Sequence, residues 1–379
     1  MKKINIKKYL PSIVFLTVMF VLTVLFFVLP KTEYSANEKR YLKKIPEWSF
    51  ADLADGKLSE DIDEYLADHF PLRDLFVGIN SYYNIANGTS GVAGFYHGKD
   101  GYLIADPTDG SLENIRLNMK NFDRFAKANN LDASVIIVPS TGYIMDDKLP
   151  ALHKEYKDKK WLDEAKAVSG DMKFIDIIDD FKTASKNTQL YYKTDHHLTS
   201  AGSYELYKIF AKSKGITATD VEKYEIESID DFYGTSYSSG GYWLTDPDKI
   251  ELWHNKDLKV TVEIPTKKVV SDSIFFRENL KEADKYPVFL DGVNSYEKIT
   301  NKNAKGGKLL LIKDSYAHCA AGFLAEHYSE IHIVDMRSYL ADVSELVKKE
   351  NIEEVLFLYG INNLAEDSQK SSMLTINLK

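Results

Sequence analysis

Lys308-Leu309-Leu310-Leu311-Ile312-Lys313-Asp314-Ser315-Tyr316-Ala317-His318 is the stretch on which the fold turns. Its apolar run is the length of one buried strand, and a buried parallel strand reads as such a continuous run. A serine then stands at the turn into a helical pattern over about 316–327. Working outward, Ala133–Val138, Phe174–Ile177, Ile331–Val334 and Glu354–Leu358 repeat the short apolar run. Helical patterns separate them near 161–168, from Thr199 to before Gly215, and over about 339–350. Strands alternating with helices at this spacing predict right-handed βαβ crossovers and an α/β fold built on a parallel sheet. Between Gly215 and about Asn301 the rhythm fails. Leu258–Ile264 alternates as a strand does, and Tyr233–Trp243 is a Gly/Ser/aromatic loop that reads either as a substrate-covering flap or as part of a β-rich insertion.

Ahead of the α/β region, Ser111 is a candidate N-cap for a helix running to Asn129. Gly94–Leu103 reads as a hairpin turning at Lys99-Asp100-Gly101. Two amphipathic helices, broken at Phe70-Pro71, fit between Leu58 and Asn87, and residues 31–50 read as an extended stalk. The N-terminus is of another kind. Lys2, Lys3, Lys7 and Lys8 precede an uncharged run from Leu10 to Leu29, about twenty residues and so about 30 Å of helix, with Pro11 expected in its first turn. The lysines predict a cytoplasmic N-terminus and an external remainder. An uncleaved anchor fits better than a signal peptide, because Phe26-Phe27-Val28-Leu29-Pro30 offers no small residues for cleavage. The expected division is 1–30 cytoplasmic stub and anchor, 31–90 stalk and helical lead-in, and 91–379 α/β domain with its insertion at about 215–301.

The net charge of −9 becomes −13 once the four N-terminal lysines are set aside. A surface that acidic suits neither nucleic acid nor anionic lipid. The single cysteine, Cys319, excludes an intrachain disulfide, and its place one helical turn past Ser315 reads as a small core residue.

Three places carry candidate chemistry. Ser315, at the carboxyl end of a strand, would face the crevice where α/β proteins bind ligands, with its N–H at a helix N-terminus; a plain N-cap serine leaves the same pattern. In Thr194-Asp195-His196-His197-Leu198-Thr199, a carboxylate two residues before a histidine can fix the imidazole's tautomer, as a general base requires. The same residues could ligate zinc, although neighbouring histidines point apart and no further Cys/His cluster completes a set. Tyr359-Gly360-Ile361-Asn362-Asn363 follows another strand end, where Asn362 could present an amide donor or merely turn the chain. Together they offer a nucleophile, an oriented base and an oxyanion donor, the inventory of acyl transfer through an acyl-serine.

Asp195-His196-His197 followed by Leu198-Thr199, the Asp314-Ser315 strand end, Gly360-x-Asn362 and the hairpin Gly98–Leu103 resemble the SGNH-type proteins related to the alginate O-acetylation proteins, the DHHW proteins, over roughly 31–370. The resemblance implies an SGNH-like fold with Ser315 as nucleophile, His197 as base and Asp195 orienting it. Asn362 and the Ser315 N–H would form part of the oxyanion hole, with Gly360 beside it and Gly292 as the candidate second-block glycine. No cofactor or metal is implied. The sequence departs from the pattern at Leu198, where the family has Trp, and at Lys313, where SGNH proteins carry Gly. The implied activity is O-acetylation of an extracellular or cell-wall polysaccharide, with the acetyl group supplied by a multispanning membrane O-acyltransferase (MBOAT-like). An esterase using the same residues and a non-catalytic polysaccharide-binding scaffold are the alternatives; the scaffold would depend on exposed aromatics such as Tyr242 and Trp243.

Overall fold

The computed structural model describes residues 6–47 and 50–378; Lys2 and Lys3 of the basic stub lie outside them. The first helix runs Ile6–Val28, and from Lys7 onward it is long and apolar enough to cross a membrane, with no residue of that span fully buried. It begins earlier than the uncharged run. Pro11 is therefore inside it rather than in its first turn, and leaves the Lys7 carbonyl without its helical donor.

The central sheet has eight strands: β1 (Asp132–Val138), β2 (Lys173–Phe174), β3 (Val260–Ile264), β4 (Val269–Ser271), β5 (Tyr296–Asn301), β6 (Gly306–Lys313), β7 (Tyr328–Asp335) and β8 (Glu354–Gly360). Their spatial order is β4-β3-β5-β7-β6-β8-β1-β2, with β7, β6, β8, β1 and β2 parallel. Leu311 of β6 lies opposite Ile333 of β7 and Leu356 of β8. Every residue from Leu309 to Ile312 is fully buried, which explains the unbroken apolar run. Alternate side chains serve two cores. Leu309, Leu311, Leu356 and Leu358 pack with the helices Ser200–Ser213 and Ala317–Leu324, while Leu310, Ile312, Val355 and Phe357 pack with Leu112–Ala128 and Val343–Glu350. Phe122 stacks on Phe357 with centroids 4.2 Å apart.

Many predicted boundaries hold. Ser111 caps its helix by accepting from Asn114 N, and Thr199 does so from Gly202 N. The hairpin turns through Asp100 and Gly101, both at positive φ. Other elements are shorter than the pattern suggested: the helix after Ser315 spans Ala317–Leu324, and the predicted strand Phe174–Ile177 survives only as Lys173–Phe174.

The region 215–301 is β-rich, and its strands fall into two groups. A two-stranded ribbon, Tyr224–Phe232 with Asp248–Asn255, stands apart from the sheet. β3, β4 and β5 instead extend the sheet antiparallel beyond β7. The loop 233–243 is not an open flap. It holds a short helix, Thr235–Gly240, and Tyr242 is fully buried, its hydroxyl accepting from Val92 N and donating to Phe95 O. Trp243 is half-buried and donates to Asp74 O. These aromatics fasten the hairpin and the lead-in helices to the domain, so they are not the exposed binding aromatics a scaffold would need.

Candidate active site

The carboxyl ends of β6, β8 and β1 lie side by side in the sheet, and beyond them come Ser315, Asn362 and Ser140. Asp314, just past β6, fastens this edge. Its Oδ1 accepts from Tyr316 N at 2.9 Å, and its Oδ2 accepts from Gly360 N at 2.8 Å and Asn363 Nδ2 at 2.6 Å. Burial raises the pKa of Asp314, and these three donors oppose the rise. The Ser315 N–H is left out of this set.

The Asp-His pair arrives from a tight reversal in which Tyr191 bridges Leu198 and Tyr192 N bonds to His197 O. Asp195 Oδ1 accepts from both the backbone N–H of His197, at 2.8 Å, and the ring Nδ1, at 2.5 Å. Its Oδ2 accepts from Thr235 N and Thr235 Oγ1, at 2.7 and 3.1 Å. Burial alone would raise the Asp195 pKa. The neighbouring imidazoles of His197 and His196 and these hydrogen bonds outweigh it and hold the carboxyl well below the usual 3.8. With Nδ1 donating to a carboxylate, His197 presents Nε2 as an acceptor. Nε2 is buried and has no hydrogen-bond partner among the described residues, Ser315 Oγ included.

Aromatic rings set the imidazole's position. Tyr286 stacks on His197 at 4.0 Å and 12°, His196 lies at 3.9 Å, and Tyr316 at 5.6 Å. The Tyr286 hydroxyl donates to Ser315 O at 3.4 Å, so one tyrosine touches both the imidazole and the serine's backbone. Asn362 Oδ1 accepts from Ser140 Oγ at 3.2 Å, which leaves its NH₂ as a donor without a partner among the described residues. Ser140 is itself held by N–H donation to the buried Asp158 carboxylate at 2.6 Å.

Two predicted residues serve other ends. The Gly360 N–H is spent on Asp314 rather than on a substrate, and a Cβ at Gly360 would overlap the Tyr316 ring. Gly292 follows Leu290 and Asp291, all three at positive φ, and packs on Pro287, with Asp291 tied to Lys267 and Asn279; no bond links it to Ser315. Asp195, His196 and His197 bring ligand-type atoms within 4.8 Å of one another, but His197 Nδ1 is engaged by Asp195 and His196 Nδ1 by Thr235 Oγ1. Cys319 is buried against Ser200 Oγ, and burial pushes its thiol pKa up to about 11.

Lys313, just before Asp314, is fully buried, with Nζ 2.6 Å from His318 Nε2 and 3.2 Å from Asp335 Oδ2. Sequence reasoning missed Thr235, Tyr286 and Ser140. Thr235 and Tyr286 come from the region without α/β rhythm. Thr235 lies in the Gly/Ser/aromatic loop 233–243, and Ser140 carried a signal of its own, a serine two residues beyond the apolar run ending at Val138.

The model of the DHHW protein family matches residues 171–334, the stretch that holds both the Asp-His pair and Ser315. No curated protein matches the sequence. Among solved structures, a DHHW family protein from Eubacterium siraeum superposes with a TM-score of 0.65 at 22% identity, over 76% of this chain and 96% of its own. Bacillus cereus PatB1, solved with a sulfonyl adduct, gives 0.60 at 22% identity over 71% and 96%. The O-acetyltransferase domain of Pseudomonas putida AlgJ gives 0.48 at 13% identity over 74% and 95%. The first two likenesses establish the fold.

Proposed function

We propose that this protein is a membrane-anchored O-acetyltransferase that works through an acyl-serine on the outer side of the membrane. The observation that carries the reading is His197, with Nδ1 tied to a buried carboxylate, Nε2 unpaired among the described residues, and Tyr286 touching both its ring and the Ser315 backbone. A buried acceptor without a donor is costly unless something arrives to fill it.

In the proposed reaction, Ser315 Oγ attacks the acetyl carbonyl while its proton passes to His197 Nε2. Apo hydrogen bonds of this kind are often open and tighten when substrate binds. The tetrahedral oxyanion forms at the strand ends, where the Asn362 NH₂ and the Ser315 N–H are donors still unspent. The leaving group takes the proton from Nε2 as the carbonyl re-forms, giving the acetyl ester of Ser315. A polysaccharide hydroxyl then attacks that ester, its proton going to Nε2, and the serine regains it as the acetyl group departs on the sugar. Asp195 keeps the imidazole in the required tautomer throughout. Both half-reactions balance without a metal or cofactor.

The anchor would hold the domain beside a multispanning O-acyltransferase (MBOAT-like) that passes acetyl groups outward. The acidic exported part would take a neutral sugar acceptor more readily than a nucleic acid.

The test uses purified protein with p-nitrophenyl acetate, followed by intact-mass spectrometry and product analysis with an oligosaccharide acceptor. Wild type should release p-nitrophenol, carry one acetyl group and acetylate the sugar. Ser315→Ala should carry none, and His197→Ala should fall to background. A sulfonyl fluoride should modify wild type once and Ser315→Ala not at all. An inert wild type, or variants that match it, would sink the reading; release of free acetate alone would make the protein an esterase.

A further inference from the structure

Between the apolar N-terminal helix and the hairpin, two helices carry an apolar face that the fold leaves open. The helix Arg73–Ala86 buries its small side. A Cβ on Gly78 would come within 2.7 Å of the Trp243 ring, and Ser81 Oγ donates to Gly240 O at 3.1 Å. Its other side presents Leu72, Phe76, Ile79 and Tyr83 at intervals of one helical turn, between 44% and 65% exposed. The preceding helix, Lys57–Asp68, adds Ile62 and Leu66, with Phe70 one further turn on. The rings of Phe70 and Phe76 meet edge-on at 5.7 Å, so the two stripes form one patch. A helix of a soluble domain turns its apolar stripe inward, and a patch of this kind marks a contact surface.

Its position identifies what it contacts. Tyr65 packs edge-on against Phe26 at 6.3 Å, and Lys31 Nζ donates to His69 O at 3.4 Å. Phe26 lies two residues inside the helix end at Val28, about 3 Å of rise. The helix Lys57–Asp68 therefore stands at the depth of the last turn of the apolar helix, which in a bilayer is the boundary between headgroups and acyl chains. Aromatic residues favour that boundary, and amphipathic helices lie in it with their apolar face a few ångströms deep.

Resting on the reading of Ile6–Val28 as an anchor, we propose that the helix pair 57–86 lies in the outer-leaflet interface with this patch inserted among lipids. It would make a second membrane contact that fixes how the domain stands over the bilayer. Glu60 and Asp63 of the same helix are exposed acids without an ion pair among the described residues, and they oppose contact with anionic headgroups. Asp61 and Glu64 are paired with Lys43, and Asp68 with Arg40, so the surface asks for apolar depth rather than anionic headgroups.

The experiment uses the full chain, carrying Cys319→Ser, in phosphatidylcholine vesicles. A fluorophore is placed at Phe76→Cys, Ile79→Cys, Val18→Cys or Leu340→Cys, each position exposed in the free chain. Lipids spin-labelled near the headgroup or near the acyl-chain ends serve as quenchers. The shallow quencher should act on positions 76 and 79 at least about twofold more than on position 340, and the deep quencher on position 18. If position 18 is quenched while 76 and 79 match 340, the patch faces water or a protein partner and the proposal falls, with the anchor intact. If position 18 escapes the deep quencher, the anchor reading fails and takes this one with it.

Discussion

Gly234 lies against Asp195 so closely that a Cβ on it would overlap the Asp195 side chain. The approach lets the next residue, Thr235, turn its N–H and hydroxyl onto Oδ2, while Gly234 N–H itself donates to Thr194 Oγ1 at 3.0 Å. Gly234→Ala should push this clamp off the carboxylate and swing the imidazole with it. A displacement of about 1 Å at a catalytic group costs about 10²-fold in rate, and that is the loss expected in acetyl-ester turnover. Circular dichroism should show the fold retained. A variant as active as wild type would mean that the clamp does not position Asp195.

Asp195→Asn keeps the shape and changes the tautomer. An amide NH₂ facing Nδ1 would favour the form with hydrogen on Nε2, which cannot take the Ser315 proton. A rate loss of about 10⁴-fold is expected. The same residue links stability to pH. Its folded pKa lies well below 3.8, so its contribution is fully present above about pH 4 and is lost as pH falls toward the folded value. Urea unfolding should find Asp195→Asn less stable than wild type at pH 7, with the gap closing below pH 4. A gap that stayed constant with pH would refute the linkage.

Ser140 is expected to act through Asn362. Without its hydroxyl, Asn362 can turn its oxygen instead of its NH₂ toward the strand ends. Asn362→Ala should lower kcat by about 10²-fold, as removal of one oxyanion donor does, and Ser140→Ala by less. In the double variant the Ser140 effect should vanish, because nothing is left to orient. Additive losses would place Ser140 in some other role.

Much of this was legible in local pattern. The apolar runs at 133–138, 309–312 and 355–358 are buried on both faces, the pattern of a parallel sheet. Asp195 and His197 are two residues apart, so their pairing could be read directly. The rest depends on contacts between distant segments. Tyr286 meets His197 across 89 positions, and nothing at Lys285-Tyr286-Pro287 advertises that. β3 and β5 alternate as half-exposed strands do, yet their antiparallel pairing to β7 is a long-range choice that periodicity does not encode. The burial of Tyr242 is hidden in the same way, because a Gly/Ser-rich stretch reads as an exposed loop whether or not its ring is buried.

Lys313 shows the same limit at the site's edge. A lysine in place of glycine was visible in the sequence, but not the buried polar cluster around it: His318, Asp335, and Glu297 on the neighbouring part of the sheet. Glu297 is fully buried. Its Oε1 accepts from Asn294 at 3.1 Å, and its Oε2 has no partner among the described residues. Burial raises its pKa to about 7 from 4.5, against the opposing pull of Lys313. Between those two values the folded state holds a proton that the unfolded state has released, so stability falls as pH rises from 4.5 to 7 and is flat above. Glu297→Gln keeps the shape and removes the ionisation. It should therefore unfold at a higher temperature than wild type at pH 8, by up to about 3 kcal/mol of stability, and match wild type at pH 4. Calorimetry at both pH values decides it. A variant destabilised at pH 8 would mean that the Glu297 charge is a needed partner of Lys313 rather than a strained neighbour.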